Sequence, residues 1–105
     1  MTETLVVLVT TPTAERAAEI ARALVTERLA ACGNVIPALR SIYRWEGKIQ
    51  DEAEALLVLK TTRARFEALR ERVLALHPYQ VPEVIALPVE AGSAPYLAWI
   101  AAETS

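Results

Sequence analysis

His77 is the only imidazole in the chain and Cys32 the only thiol. Imidazole suits Cu²⁺, Zn²⁺ or Ni²⁺, and a strong site needs three or four converging ligands. Glu83 is the first carboxylate after His77, while Cys32 and Glu46 can approach it only through folding. His77, Cys32 and Glu83 are therefore the candidate metal ligands. The alternative for His77 is a place at a helix C-terminus, where its cationic form gains from the dipole. Cys32 as a nucleophile needs a base, and His77 is the one imidazole available. Otherwise a buried cysteine packs as a small apolar residue.

Lys60 closes an apolar stretch, Leu56-Leu57-Val58-Leu59. A lysine buried there without a partner is costly, so a carboxylate is expected beside it. Glu46, Lys60 and Glu83 form a candidate polar cluster. It is either an acid/base or anion-binding arrangement in a cleft, or an ion pair that fixes an interface. Trp45, Tyr79 and Trp99 read as packing anchors, and large aromatics are common at subunit contacts.

These residues must be carried by a small set of elements. Leu5–Val9 is an apolar, β-branched run suited to a strand buried on both faces. Thr11-Pro12-Thr13 stops it, and Thr13 is the expected N-cap of a helix from Ala14 to about Leu29. Its inward stripe is Ala14, Ala17, Ala21 and Leu24. Cys32 to Trp45 reads as a long strand, and Pro37 inside it removes a ladder donor, which predicts an edge position or a bulge. Glu46-Gly47-Lys48 is a hairpin tip, and Ile49–Lys60 returns. Thr61 or Thr62 caps a second helix, about Arg63 to Leu76, burying Phe66, Leu69, Val73 and Leu76. His77-Pro78 ends it, because proline disfavours helix in the residue before it. Val84–Leu87 is a fourth strand, and Pro95 to about Ala102 a short last helix.

The order β-α-β-β-α-β predicts an α+β, ferredoxin-like split βαβ sandwich. Two helices cover one face of a four-stranded antiparallel sheet. The opposite face is apolar with no helix to cover it, and the long β2-β3 hairpin carries Tyr43, Trp45 and Ile49 outward. A partner subunit is the simplest cover.

Composition narrows the functions. At 105 residues the chain is sized for a single domain, residues 1–105, and its 53% apolar content excludes disorder. A net charge of −2 without a basic stripe gives no support to nucleic-acid or anionic-membrane binding. No apolar stretch approaches the length of a membrane span. Met1-Thr2-Glu3-Thr4 lacks the basic start of a signal peptide. With one unpairable cysteine, the expected location is cytoplasmic. An RNA-binding module is disfavoured by the acidic balance and the lack of an RNP-type aromatic strand. An enzyme is not expected, since no third partner orients the one Cys and one His. Gly33, Gly47 and Gly92 are the only glycines, so there is no glycine-rich phosphate loop.

Three clusters carry a resemblance: Leu29-Ala30-Ala31-Cys32-Gly33-Asn34, Ser41-Ile42-Tyr43-Arg44-Trp45-Glu46-Gly47-Lys48-Ile49, and His77-Pro78-Tyr79-Gln80-Val81-Pro82-Glu83. With Leu59-Lys60-Thr61 and Tyr96-Leu97-Ala98-Trp99-Ile100 they resemble the CutA family of divalent-cation tolerance proteins, in order and over nearly the whole chain. The W-E-G-K hairpin joined to H-P-Y-x-x-P-E is far more specific than either piece. The resemblance implies a PII-like fold and a homotrimer whose sheets pack around an axis. It also implies an association with copper and other divalent cations. Where some members carry a thiol near the end of the first strand and a paired histidine before Pro-Tyr, this chain has Thr10 and Leu76, with His77 retained.

The expected function is thus a homotrimeric divalent-cation tolerance protein. It binds copper or other divalent metal ions weakly, has no organic cofactor, and takes part in the response to metal ions. The alternative is a PII-like sensor that takes a small anionic metabolite between subunits, using Lys60. An inter-subunit cleft is expected to gather Trp45, Glu46, Lys60, Tyr79 and Glu83, with Cys32 beside them.

Overall fold

A computed structural model describes residues 3–105. Met1 and Thr2, read above for a leader, lie outside the described residues. The elements are β1 (Thr4–Thr11), α1 (Ala14–Thr26), β2 (Cys32–Trp45), β3 (Lys48–Thr62), α2 (Arg63–Leu76), β4 (Ile85–Pro88) and α3 (Ala94–Glu103). The strands form one antiparallel sheet in the order β2-β3-β1-β4. This is the expected ferredoxin-like topology with an added C-terminal helix. Among the described residues, no helix is long and apolar enough to cross a membrane.

The core lies between the sheet and its helices. Val7 and Val9 of β1, Ala55, Leu57 and Leu59 of β3, Ala17, Ile20 and Leu24 of α1, and Leu69 and Val73 of α2 are all buried there. Alternation on the strands sends these odd-numbered residues to the helix side. Ile20 belongs to the inward stripe of α1, while Ala14 stands at its edge. On α2, Phe66 and Leu76 are likewise only partly buried against the core.

Local signals set most element ends. Thr13 caps α1, its Oγ1 accepting from Arg16 N–H at 3.1 Å. Thr62 occupies the N-cap position of α2 without a side-chain cap bond. The hairpin tip is a two-residue turn in which Glu46 (φ 51°) and Gly47 (φ 77°) are both left-handed, and Trp45 pairs with Lys48. Such a turn matches the twist of the flanking strands.

Helix α1 stops three residues short of the expected Leu29 because Arg28 turns left-handed (φ 60°). Leu29 N–H then returns to Leu24 O at 2.9 Å and Arg28 N–H to Val25 O at 3.1 Å. That is a Schellman closure with arginine where glycine is usual. Arg28 has compensation elsewhere: its guanidinium donates to the carbonyls of Ala102 (3.1 Å) and Ser105 (3.4 Å) at the end of α3.

Pro37 marks a bulge, as expected. Ile36 pairs with Leu56, but the next pair is Leu39 with Glu54, so β2 advances three residues while β3 advances two. The offset changes which β2 side chains share a face with β3. Before it, even-numbered Cys32, Asn34 and Ile36 lie with Lys60, Val58 and Leu56 on the open face. After it, odd-numbered Ser41, Tyr43 and Trp45 do so, opposite Glu52, Gln50 and Lys48.

Candidate functional site

The β2-β3 hairpin arm, the end of β1 and the connection from α2 to β4 meet in one concave groove. Residues 77–84 of that connection carry neither helix nor strand and cross the open side of the sheet as a strap. The groove holds about 650 Å³. Its sheet wall is Thr10, Ser41, Tyr43, Trp45, Glu52 and Glu54, and its strap wall is Tyr79, Gln80, Val81 and Glu83.

Two tyrosines are hydrogen-bonded to glutamates in this groove. Tyr79 Oη donates to Glu54 Oε2 at 2.6 Å, linking strap to sheet. Tyr43 Oη donates to Glu52 Oε1 across the hairpin. Each phenol donates a hydrogen bond to a carboxylate, which makes its ionisation harder. The bond to Glu52 is the main cause that pushes Tyr43 up to about 12. Burial comes first for Tyr79, followed by its bond to Glu54, and raises it further. Burial and the nearby charge of Glu54 also push the Glu83 carboxyl above its usual range. The charge of the Glu54 carboxylate contributes to all three shifts. Among the described residues the lining holds three carboxylates and no lysine or arginine. A small anion is therefore poorly suited to this groove.

His77 braces the strap from behind. It is the C-cap of α2, its backbone N–H donating to Val73 O at 2.8 Å, and the residue is only 8% exposed. Nε2 lies 2.7 Å from Thr10 O, and Tyr79 N–H donates to Nδ1 at 3.1 Å. A carbonyl can only accept and an amide N–H can only donate, so the ring is neutral with its hydrogen on Nε2. Within the chain both ring nitrogens are thus engaged, Nε2–H with Thr10 O and Nδ1 with Tyr79 N–H.

The other candidates fall at two places. Of the expected cleft, Trp45, Tyr79 and Glu83 come together in the groove. Cys32 and Lys60 are directly opposed near the far end of the sheet, four residues along β3 from the Thr10–Leu56 pair. At strand spacing that is about 13 Å from the His77 brace. Cys32 Sγ lies 3.7 Å from Tyr96 Oη of α3. Lys60 Nζ donates to Asn34 Oδ1, so within the chain its partner is an amide, not the expected carboxylate. Glu46 stands at the exposed hairpin tip, away from both. His77, Cys32 and Glu83 thus do not form one ligand set. Among the described residues no group of three or more His, Cys, Asp or Glu side chains is arranged to hold a metal ion.

Glu52 and Glu54 were legible only as polar residues alternating along β3. The missed signal is the bulge itself. Counting one extra residue at Pro37 brings Tyr43 level with Gln50 and diagonal to Glu52.

Known proteins match this chain over most of its length. The "Divalent-cation tolerance protein CutA" of Thermus thermophilus is 54% identical over 99 residues, 94% of this chain and 96% of that protein. Human "Protein CutA" is 53% identical over 92 residues, which are 88% of this chain but only 51% of the longer human protein. The solved structure of the divalent cation tolerance protein (Cut A1) from Thermus thermophilus matches with a TM-score of 0.95 at 53% identity, covering 97% of this chain and 99% of that one. CutA1 from Oryza sativa matches with a TM-score of 0.95 at 45% identity, covering 99% and 95%. A model of the family described as CutA1 divalent ion tolerance protein matches residues 5–103, and this chain belongs to that family.

Proposed function

We propose that this protein is a self-associating binder of divalent cations, working as a homotrimer and taking up Cu²⁺ or another divalent ion weakly in the response to metal ions. The observation that carries the reading is the groove, where Glu52, Glu54 and Glu83 line one wall system without a compensating lysine or arginine. Oxygen donors spread over an open groove attract a hydrated dication without caging it, which favours modest affinity over tight ligation. The engaged nitrogens of His77 point the same way. A binding role, not a catalytic one, follows from carboxylates that are already hydrogen-bonded to phenols.

Assembly has separate support. Ile36, Ile85 and Leu87 on the open sheet face, with Trp45 on the same face of the arm, are each at least 43% exposed. An apolar patch of this kind on a twisted sheet is characteristic of an interface. A neighbouring subunit also provides a route by which Glu46 at the tip can meet a Lys60, which within one chain lies about 40 Å down the strand.

Native mass spectrometry on untagged protein titrated with Cu²⁺ and Zn²⁺ reads both properties. The expected result is a trimer with metal adducts that weaken at least several-fold when Glu54 and Glu83 are both changed to Gln. Cys32→Ser should leave them unchanged. A monomer at micromolar concentration overturns the assembly, and adducts indifferent to the two glutamates overturn the groove.

A further inference from the structure

We propose that His77 is a proton-operated latch: its neutral ring holds the 77–84 strap on the sheet, and protonation at Nδ1 releases Tyr79. The latch has two contacts of opposite sense. Nε2–H donates to Thr10 O at 2.7 Å, fastening the ring to the end of β1. Nδ1 accepts from Tyr79 N–H at 3.1 Å, fastening the strap to the ring. The Tyr79 ring leans over the imidazole, centroids 4.7 Å apart and planes at 50°. Beyond it, Tyr79 Oη reaches Glu54. One imidazole thus positions both the backbone and the side chain of a groove residue.

The protonated ring cannot make this set of contacts. Imidazolium carries N–H on both nitrogens and has no acceptor. Nδ1–H would then face Tyr79 N–H, donor against donor, and the amide would lose its acceptor in a site where His77 is 8% exposed. The β1 side is built into the sheet, with Thr10 paired to Leu56, whereas the strap has neither helix nor strand to hold it. The strap is therefore the part that yields. The titratable groups around the ring are few. Tyr79 and, through it, Glu54 stand on the groove side, and Glu83 lies farther along the strap. On the α1 side Arg16 and Glu19 line a small cavity beside Leu76, the residue before His77.

Opening would move Tyr79 and Glu83 away from Glu52 and Glu54 and disperse the groove's charge, so uptake of a cation would weaken on mild acidification. That consequence rests on the groove reading. The latch itself is testable without metal, so the two ideas can fail separately.

The test is nuclear magnetic resonance on the full labelled chain, titrated from about pH 8 to about pH 5, the range in which imidazoles change charge. At the upper end the ring nitrogen shifts should report the Nε2–H tautomer. As the ring takes its second proton, the exchange rate of the Tyr79 amide, corrected for its intrinsic pH dependence, should rise at least about tenfold with the same midpoint. His77→Gln retains a donor for Thr10 O but has no titratable proton, and in it the transition should disappear. Tyr79→Phe cuts the link to Glu54 and should retain the amide transition. A ring that takes its second proton while the Tyr79 amide stays protected overturns the latch. So does a ring that stays neutral until the fold is lost, or a transition that persists in His77→Gln. Should that variant not fold, the coincidence of midpoints in the wild-type and Tyr79→Phe chains decides alone.

Discussion

Adding a single methyl group at Gly33 should loosen the whole α1 layer. Gly33 lies on β2 directly beneath α1, and a Cβ built there would stand 2.9 Å from Ala21 Cβ, 3.1 Å from Leu59 Cδ2 and 3.3 Å from Leu57 Cδ1. Carbon atoms rest comfortably about 3.5–4.0 Å apart, so all three contacts are compressed. The two leucine tips can give way by small χ rotations. Ala21 Cβ cannot, because it is bonded directly to the helix backbone, and relief there means moving α1 off the sheet by roughly half an ångström or more. Ala17, Ile20 and Leu24 are 0–1% exposed in that same layer and would lose contact with it.

Overpacking of this kind costs about 1–3 kcal/mol. Replacing glycine also removes about 0.4–1 kcal/mol of unfolded-state entropy, which offsets part of the loss. Gly33→Ala should therefore be less stable by about 1–2 kcal/mol. At about 4–8 °C per kcal/mol for a domain near this size, the midpoint should fall by roughly 5–15 °C. Urea unfolding followed by circular dichroism measures the difference, at one fixed protein concentration because self-association would shift the midpoint. Ala21→Gly supplies the internal check. Alone it costs about 1 kcal/mol of helix propensity, but in the Gly33→Ala background it reopens the space. The double variant should be more stable than the sum of the singles predicts by at least about 0.5 kcal/mol. A Gly33→Ala protein within about 0.5 kcal/mol of wild type, or strict additivity, would refute this account of the contact.

Two further outcomes follow from the structure. The Glu83 carboxyl is raised above its ordinary value by burial and by Glu54, so its charged form opposes folding above the folded value, and that opposition fades as pH falls through it. Glu83→Gln should be the more stable protein at neutral pH, by less than about 1 kcal/mol after solvent screening, with the gap closing towards the carboxylate range. Urea midpoints across pH check the sign, and a less stable variant at neutral pH contradicts it. Thr13→Ala removes the acceptor that Arg16 N–H uses at 3.1 Å and should lower stability by about 1 kcal/mol. Thermal unfolding reads that loss, and an unchanged midpoint would mean the cap contributes nothing.

Local chemistry made much of the fold legible in the sequence. Alternating apolar residues and helical stripes are properties of neighbours in the chain, so the element order, the limits of β2 and α2, and the cap at Thr13 could be read directly. So could the irregularity at Pro37, because proline lacks the N–H that a ladder needs. The end of α1 could not. It depends on Arg28 adopting a left-handed backbone while its side chain satisfies carbonyls 74 and 77 residues away.

The candidate site divides in the same way. Tyr79, Glu83 and Trp45 stood out by type and surroundings and do meet in the groove. Glu52 and Glu54 did not stand out, since their facing tyrosines are decided by register, and one extra residue in β2 exchanges the faces of everything beyond it. Lys60 carried a clear demand for a partner, but only the cross-strand diagonal picks out Asn34. His77 could be recognised as chemically unusual from composition alone. Its protonation state was set by which carbonyl and which amide the fold brought to its two nitrogens. Residue type determines what a side chain can do, while its partners come from distant parts of the chain, and only the folded backbone brings those within hydrogen-bonding reach.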